Sequence, residues 1–473
     1  MRRTKIVATI GPASRTREAV DALIEAGVDV FRLNFAHGSM EEHASATRLI
    51  RDRADEARRV IGILADLPGP KMRTGAIAGN EASIQAESEL ILTPEEIDGD
   101  AERVATSVPD LASLVEVGQQ IFLADGEIVL TVDAIRDPDV VASVIRGGVL
   151  RSGKGMHVPG AERRVQCPTD ADRRALAAAL KAQVDFVGIS FVRDAADVVA
   201  IRDLLPEGHR LSPKLVAKIE TRSAVDLCDE ILHESDAVMV ARGDLGIQTQ
   251  LTLVPLVQKE IIRKCNRAGV PVITATQMLE SMTDSPLPTR AEVTDVANAV
   301  VDGTDALMLS EETAVGQYPV AAVETMAETA FAAEFWSAMR EAPDLGTLTD
   351  DSVSWAVARA GAQAAEDLGV AAILCPTTSG STPRRVAAFR PSMPVIALAK
   401  RPEVAGSMSL QRGVVPVLAT EQADPVSAGE DVERVVARAV DAGVVSRGDL
   451  VVVAAGSPGP RPGRTDYIRV VRI

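Results

Sequence analysis

Residues 214–244, KLVAKIETRSAVDLCDEILHESDAVMVARGD, decide the fold class of this chain. The stretch begins with an apolar run, continues through a segment in which apolar residues recur at helical spacing, and ends with a second apolar run. Neither run alternates between apolar and polar residues, a pattern typical of parallel strands buried on both faces. A strand, a helix and a second strand in this order predict a βαβ unit.

The same alternation continues on both sides of this stretch. Eight runs are rich in Val, Ile, Leu or Ala: KIVATIG, VFRLNF, IGILADL, FVGISF, KLVAKIE, AVMVARGD, PVITATQM and ALMLSEE. Helical segments lie between most of them. Eight parallel strands separated by helices fit a closed (β/α)₈ TIM barrel. We therefore predict an α/β fold whose barrel occupies residues 1–70 and 160–341.

The strand series has one gap, between Lys71 and Pro159. There the pattern changes to short strands with turns, as in QQIFLADGEIVLTVDAI, in which Ala124-Asp125-Gly126 is a hairpin signal. We predict a small all-β lid domain at residues 71–159, because loops that follow barrel strands border the catalytic mouth.

The remaining stretch, residues 342–473, opens on the polar segment PDLGTLTDDS and predicts a C-terminal α/β domain. Its strands are AAILCP, MPVIALA, VVPVLAT, DLVVVAAG and YIRVVRI.

Composition excludes several classes of protein. The chain of 473 residues carries a formal net charge of −17, which argues against sequence-independent binding to nucleic acid. Its four cysteines show no CxxC pairing, so disulfide and zinc-thiolate frameworks are not expected. No stretch approaches the roughly 20 apolar residues of a membrane-spanning helix. The short apolar run near the N-terminus predicts a core strand rather than a signal peptide, and we expect a cytoplasmic protein.

Polar residues stand at the carboxyl ends of most predicted barrel strands, where such barrels build their active sites. Glu220 and Asp244, on adjacent strands, are hard oxygen ligands of the kind that Mg²⁺ or Mn²⁺ prefers. Cations accompany them at Arg32, Arg73, Lys154 and Lys218. Phosphoryl transfer needs this combination of metal and fixed positive charge. Walker A, dinucleotide-binding and protein-kinase motifs are absent from the sequence.

These segments resemble the pyruvate kinase family. The resemblance is carried by TKIVATIGPAS, FRLNFAHGSMEEH, ADLPGPKMRTG, KIETRSAVDLCDEI, VMVARGDLGI and the long segment from Pro271 to Pro319. It covers nearly the whole barrel in the family's order, whereas the lid and the C-terminal domain match more loosely. The resemblance implies transfer of a phosphoryl group from phosphoenolpyruvate to ADP, and a homotetramer.

The resemblance also implies roles for individual residues. Glu220 and Asp244 would hold Mg²⁺, and Lys218 would neutralise the phosphoryl group in flight. The backbone N–H groups of Gly243 and Asp244 would bind the substrate carboxylate, and Thr276 would orient the proton donor. Ser190 and Phe191 would line the substrate pocket, although Phe191 is equally compatible with core packing. Contacts to nucleotide and transferred phosphates would come from Arg32, Asn34, His37, Arg73 and Lys154.

Two departures from the family pattern concern its monovalent cation. Many members bind K⁺ through a serine of an NFSHG motif, near the glutamate of a GPE motif. Here Ala36 replaces the serine and Lys71 replaces the glutamate. An ammonium group near Asp66 could supply the charge of K⁺ without a dissociable ion. We predict that K⁺ is not required, as in the lysine-bearing subset of the family. The effects of two further departures, Gln248 and Glu311, stay open.

The C-terminal domain contains a hydroxyl-rich loop, with Thr378, Ser379, Ser381 and Thr382, followed by Pro383 and two arginines. Such a loop is a candidate phosphate nest for a phosphorylated effector, as the resemblance implies. A helix N-cap made by Ser or Thr is the alternative. Two other functions also stay open: a Mg²⁺-dependent barrel aldolase, and a catalytically silent paralogue that senses metabolites.

Overall fold

The computed structural model describes residues 1–160, 167–206, 213–337, 352–418, 432–456 and 464–473. None of the helices in these ranges combines the length and the apolar character that crossing a bilayer requires. The predicted polar break at 343–352 lies almost entirely outside the described residues.

Eight strands form a closed barrel, which confirms the predicted fold class. We call them β1 to β8 in chain order: Lys5–Thr9, Val30–Asn34, Gly62–Asp66, Phe186–Ile189, Lys214–Ile219, Ala237–Ala241, Val272–Ala275 and Ala306–Leu309. Each pairs in parallel with its neighbours in chain order, and β8 closes the barrel onto β1. All eight carboxyl ends therefore meet at one rim.

Helices pack around the barrel between the strands. They are Arg17–Ala26, Met40–Glu56, Asp170–Lys181, Ala195–Arg202, Arg222–Asp226, Cys228–Glu234, Arg242–Gln248, Val254–Ala268, Arg290–Asp302, Glu311–Ala314 and Pro319–Ser337. The helix Arg290–Asp302 shows how the sequence sets their limits. Thr289 and Glu292 form a capping box at its start, and Gly303, at φ 99°, ends it in the left-handed region that suits glycine.

The barrel interior is apolar, and one of its side chains comes from outside the barrel. Strand residues such as Val7, Leu64, Val216 and Met239 form this cluster together with Leu410 of the C-terminal domain, which is fully buried. Because Leu410 packs at the amino ends of the strands, near Phe186 and Ala237, it closes the bottom of the barrel. The opposite rim, formed by the carboxyl ends of the strands, is not closed by Leu410.

The insert after β3 is a β domain, as predicted. Its larger sheet contains, in spatial order, Met72–Arg73, Gly155–His157, Gln120–Leu123, Ile128–Arg136, Asp139–Arg146, Glu89–Thr93 and Arg103–Ala105. Glu81–Ile84 pairs with Gly148–Arg151, and one short helix spans Leu111–Leu114. The hairpin at Ala124–Gly126 is present, with Leu123 opposite Ile128 in antiparallel register. We call this insert the lid.

The C-terminal domain has a five-stranded sheet made of the five strands predicted from sequence. Its spatial order is Val414–Leu418, Val395–Ala399, Ala372–Thr377, Leu450–Ala455 and Tyr467–Arg472, the last pair antiparallel. Helices Ser352–Leu368, Ser381–Ala388, Pro402–Gly406 and Val432–Asp441 accompany it. Arg390 links this domain to the barrel through Asp305, at 2.7 and 3.1 Å, and through the carbonyl oxygen of Gly303.

Candidate active site

Asp66 lies at the centre of a buried ionic cluster at the open rim. It is the last residue of β3 and is 1% exposed. Its carboxylate accepts from Arg32 Nε at 2.8 Å and lies 3.2 Å from Lys218 Nζ. Burial alone would raise the pKa of Asp66, but Lys218 and Arg32 hold it below its ordinary value. Arg32 also donates to the hydroxyl of Thr9, a strand-end residue that sequence analysis overlooked.

Lys218 is held by three groups from three strands. Its ammonium lies 3.2 Å from Asp66 and 2.9 Å from Glu220, and it donates to Ser190 Oγ at 2.8 Å. Burial alone would lower the pKa of Lys218, but Asp66 and Glu220 raise it above the ordinary value. The site therefore keeps a fixed positive charge at neutral pH, on a side chain that is only 10% exposed.

Glu220 is almost fully buried and is oriented by the backbone of the preceding strand end. Its Oε1 pairs with Lys218, and its Oε2 accepts from the backbone N–H of Phe191 at 2.7 Å. Phe191 presents that N–H from a left-handed conformation, φ 56°. Burial raises the pKa of Glu220, Lys218 lowers it, and the nearby Asp244 raises it again, with a net rise.

Asp244 stands in the first turn of the helix Arg242–Gln248 and faces the lid boundary. Its Oδ1 lies 2.8 Å from the ammonium of Lys71, and the two side chains are 25% and 27% exposed. Lys71 Nζ also lies 5.9 Å from the centre of the Phe191 ring. The partner of Lys71 is thus Asp244, whereas Asp66 is paired with Arg32 and Lys218.

Thr276 and Gly243 are brought together where β6 and β7 end. The Gly243 N–H donates to Thr276 Oγ1 at 2.8 Å, and that hydroxyl donates to the carbonyl oxygen of Ala275 at 2.7 Å. The family resemblance implies that the Gly243 N–H binds a substrate carboxylate, but in this structure that N–H donates to the Thr276 hydroxyl instead.

Among the remaining phosphate-contact candidates, His37 and Arg73 lie close enough for their charges to interact. Arg73 donates to the carbonyl oxygen of Gly153, and Arg73, Arg32 and Lys71 add to burial in lowering the pKa of His37. Asn34 accepts from the backbone N–H of Ala36 through its side-chain oxygen. Lys154 is exposed, and its backbone carbonyl accepts from Thr74. The bonds just given for Asn34 and Lys154 are local, and they do not join these two residues to the buried cluster.

A lid residue that sequence analysis missed touches the barrel. His157 Nδ1 lies 2.8 Å from Gln248 Nε2, which donates to it, and the imidazole stacks on Phe122 at 5.9 Å between ring centres. Burial lowers the pKa of His157 to about 4, against a smaller opposite effect of Asp244. Since His157 is three residues from Lys154, the segment RSGKGMHVPG held a signal for it.

The donor set fits a hard divalent ion completed by its substrate. Among the described residues, no group of three or more His, Cys, Asp or Glu side chains could hold a metal alone. Glu220 and Asp244 are two neighbouring carboxylates, and Mg²⁺ is commonly bound by one or two carboxylates plus substrate phosphates.

The hydroxyl-rich loop of the C-terminal domain borders a cleft of about 1120 Å³ against the bottom of the barrel. Four arginines line that cleft: Arg384, Arg385, Arg401 and Arg464. The helix Ser381–Ala388 is capped by Gly380, at φ 81°, without a side-chain cap bond. The Ser/Thr N-cap alternative is therefore wrong. Thr377 instead accepts from the Gly380 N–H, and Thr382 bonds to Thr465.

Comparison with known proteins agrees with this geometry. Residues 1–323 match the family model of the pyruvate kinase barrel domain, and residues 355–471 match that of the pyruvate kinase alpha/beta domain. The chain belongs to the pyruvate kinase family. It is 43% identical to the pyruvate kinase of Geobacillus stearothermophilus over 99% of this chain and 80% of that protein. The enzymes of Clostridium acetobutylicum, at 40%, and Thermococcus litoralis, at 38%, are matched over 98% or more of both chains.

Membership of the pyruvate kinase family makes this chain a phosphotransferase with pyruvate kinase function. The silent-paralogue alternative is not favoured.

Arg242, the residue that follows β6, is 9% exposed, and its guanidinium donates to backbone carbonyl oxygens of the neighbouring strand end.

Proposed function

We propose that this chain transfers the phosphoryl group of phosphoenolpyruvate to ADP with Mg²⁺ or Mn²⁺ and without K⁺. The bond between phosphorus and the enol oxygen breaks, and a new bond forms to the terminal oxygen of ADP. The enolate left behind takes a proton at its methylene carbon to give pyruvate. The proposal rests on the position of Lys218, whose charged amine is held between Asp66, Glu220 and Ser190 at the open rim.

Lys218 is suited to the phosphoryl group in flight. Phosphoryl transfer depends on positioning and on charge stabilisation of the equatorial oxygens. An ammonium whose pKa is raised, and whose position is fixed by three partners, supplies that charge without reorganisation. Arg32 is proposed as a second catalytic cation, since Asp66 fixes its guanidinium beside Lys218.

Glu220 and Asp244 would hold the divalent ion. When bound, Mg²⁺ supplies Lewis-acid stabilisation of the oxygens that gain charge. The Phe191 N–H orients Glu220 for this task, and burial keeps water away from it. Asp244 would exchange its partner Lys71 for the metal. Ser190 and Phe191 would border the substrate. The Asp244 N–H would bind its carboxylate, because the Gly243 N–H already donates to Thr276 Oγ1.

Thr276 is proposed to orient the proton donor for the enolate. Its hydroxyl is fixed by Gly243 and Ala275, so its position is defined before substrate binds. The nucleotide and transferred phosphates would lie towards Arg73, His37, Asn34 and Lys154. This assignment is supported by the cations around His37: burial lowers the pKa of His37 most, and Arg73, Arg32 and Lys71 lower it further, as a positively charged region does.

The C-terminal cleft is proposed as the site of a phosphorylated effector. Thr378, Ser379, Ser381 and Thr382 lie in or beside the loop that begins the helix at Gly380, and the four arginines would balance the charge of phosphate. A homotetramer is proposed from the family alone.

A coupled assay for ADP-dependent pyruvate formation tests the proposed function. We expect turnover with Mg²⁺ and a loss on the order of 10³-fold or more in Lys218→Met. Lys264→Met, which loses a pair with Asp229 on the barrel exterior, is the matched control and should keep its rate. Binding of phosphoenolpyruvate without turnover would favour the silent paralogue, and carbon–carbon bond cleavage without ATP formation would favour the aldolase.

A further inference from the structure

The backbone that carries Thr276 is strained. Thr276 and Gln277 are consecutive non-glycine residues with φ values of 67° and 54°. The left-handed region is costly for residues with side chains, and most of all for a β-branched residue such as threonine. Strain of this kind persists only where surrounding contacts impose it. A partner must therefore hold this turn.

Arg242 is that partner. Its guanidinium donates to three successive carbonyl oxygens: Ala275 at 3.3 Å, Thr276 at 2.6 and 3.1 Å, and Gln277 at 3.0 Å. A planar guanidinium with several N–H groups can bind three convergent carbonyls at once, and an ammonium at the end of a flexible stem cannot reproduce that geometry.

Arg242 is itself fixed from its other side. Its Nη1 lies 2.5 Å from Asp295 Oδ2 and 3.3 Å from Gln258 Oε1. These partners lie on two different outer helices, Arg290–Asp302 and Val254–Ala268. The guanidinium is therefore oriented independently of the turn that it binds.

The proposed metal ligand Asp244 lies only two residues after Arg242 in the chain. Arg242, Gly243 and Asp244 are consecutive at the start of one helix. The first holds the carbonyl side of the turn, the second donates to the Thr276 hydroxyl, and the third is a proposed ligand of the divalent ion. One turn of helix thus sets the spacing between the Thr276 hydroxyl and the metal site.

We propose that Arg242 is a positioning residue for the protonation step: it imposes the left-handed turn that aims the Thr276 hydroxyl at the enolate. This inference rests on the proposed function of Thr276. Arg242 would act through this turn and not on substrate or metal, because its guanidinium is bound to the carbonyls of residues 275–277, to Asp295 and to Gln258. Its loss should slow proton transfer at the methyl carbon of pyruvate and leave the binding of metal and phosphoenolpyruvate nearly unchanged.

The test is exchange of pyruvate methyl protons with deuterium from solvent, followed by NMR with ATP and Mg²⁺ present. In Arg242→Lys we expect exchange to fall on the order of 10²-fold, as misplacement of a catalytic group by about 1 Å does. The KM for phosphoenolpyruvate and the affinity for Mn²⁺ should stay within about two-fold, because uniform binding is not altered. Exchange at the wild-type rate in Arg242→Lys would overturn the inference, whereas an inactive wild-type enzyme would overturn the proposed function.

A double-mutant cycle separates positioning from general destabilisation. If Arg242 acts through Thr276, adding Arg242→Lys to Thr276→Ala should change exchange by less than about two-fold, because residues in one network are not additive. Independent, multiplying losses would contradict the inference. Arg390→Lys is the matched control, since the Arg390 side chain is 13% exposed against 9% for Arg242 and is also bound to a carboxylate and a carbonyl, but at the opposite end of the barrel. It should lower the thermal midpoint without changing exchange.

If Arg242→Lys does not fold, Asp295→Asn provides the second route. It keeps the guanidinium and removes only its charged anchor. A smaller loss of exchange, with KM unchanged, would support the inference. No loss of exchange would count against it.

Discussion

The ammonium of Lys71 lies 2.8 Å from Asp244 Oδ1 and 5.9 Å from the centre of the Phe191 ring, at the boundary between lid and barrel. The proposed metal ligand Asp244 is therefore already neutralised by a side chain of the same chain. In the proposed reaction, a divalent ion that binds Asp244 would displace this ammonium. Lys71 would then be free to supply the charge that K⁺ supplies in other members of the family.

This relationship predicts tighter metal binding when Lys71 is removed. In Lys71→Met, affinity for Mn²⁺ without substrates should rise about five-fold, because a partly exposed ion pair contributes about 1 kcal/mol or less. Titration calorimetry measures the change. Lys259→Met, which loses the remote pair with Asp302, is the control and should bind Mn²⁺ as wild type does. Unchanged affinity in Lys71→Met would show that the pair does not persist in solution.

A second prediction concerns K⁺. Wild-type turnover in tetramethylammonium buffer should change by less than about two-fold when K⁺ is added, because a tethered ammonium supplies the monovalent charge. The double variant Ala36→Ser with Lys71→Glu restores the hydroxyl and the carboxylate of the family motifs, and its turnover should depend on K⁺. Steady-state rates with and without K⁺ decide the matter. Strong activation of the wild-type enzyme by K⁺ would refute the prediction.

His157 predicts a loss of stability in acid. Its pKa is about 4 in the folded chain, against about 6.5 when unfolded. The unfolded chain therefore binds a proton first as the pH falls. The contribution of neutral His157 is full above pH 6.5 and is lost between 6.5 and 4, up to about 3 kcal/mol.

His157→Phe should flatten the fall in free energy of unfolding between pH 7 and pH 5, as measured with urea. Phe122→Leu removes the stacked ring but keeps the titrating group, and should shift stability about equally at both pH values. An identical pH profile for His157→Phe and wild type would contradict the assignment.

Leu410 predicts that the C-terminal domain stabilises the barrel directly. Leu410→Ala should lower the free energy of unfolding by about 2–5 kcal/mol, the usual cost of removing a fully buried leucine. Leu251→Ala is the control, because that side chain is 74% exposed and should change stability by less than about 0.5 kcal/mol. Equal effects of the two substitutions in urea unfolding would show that the bottom of the barrel is not closed by Leu410.

The barrel could be predicted from sequence because its strands are buried on both faces, so each appears as a continuous apolar run. The strand-end rule then located Asp66, Lys218, Glu220 and Asp244 at one rim. It could not distinguish Arg32, which faces the buried cluster, from Arg242, which wraps around the carbonyls of the next strand. Arg32 lies within β2, whereas Arg242 is the first residue of the helix that follows β6, and the partners of both come from other segments of the chain.

Contacts between residues far apart in the chain were also not predictable from the sequence. The sequence placed Lys71 near Asp66, but its hydrogen-bonded partner is Asp244, 173 residues away along the chain. The contact of His157 with Gln248 depends on how the lid meets the barrel, which no local pattern encodes. Gln248, which differs from the family pattern, thereby acquires a structural role.

Leu410 belongs to two places at once, because it fills the base of the barrel and also borders the arginine-lined cleft. Its cluster includes Leu64 of β3 and Val216 of β5, the strands that also carry Asp66 and Lys218. If the proposed effector moves the wall of this cleft, Leu410 would carry that movement to the base of the barrel. Such a route between the two proposed sites would run through packed side chains rather than through a hinge.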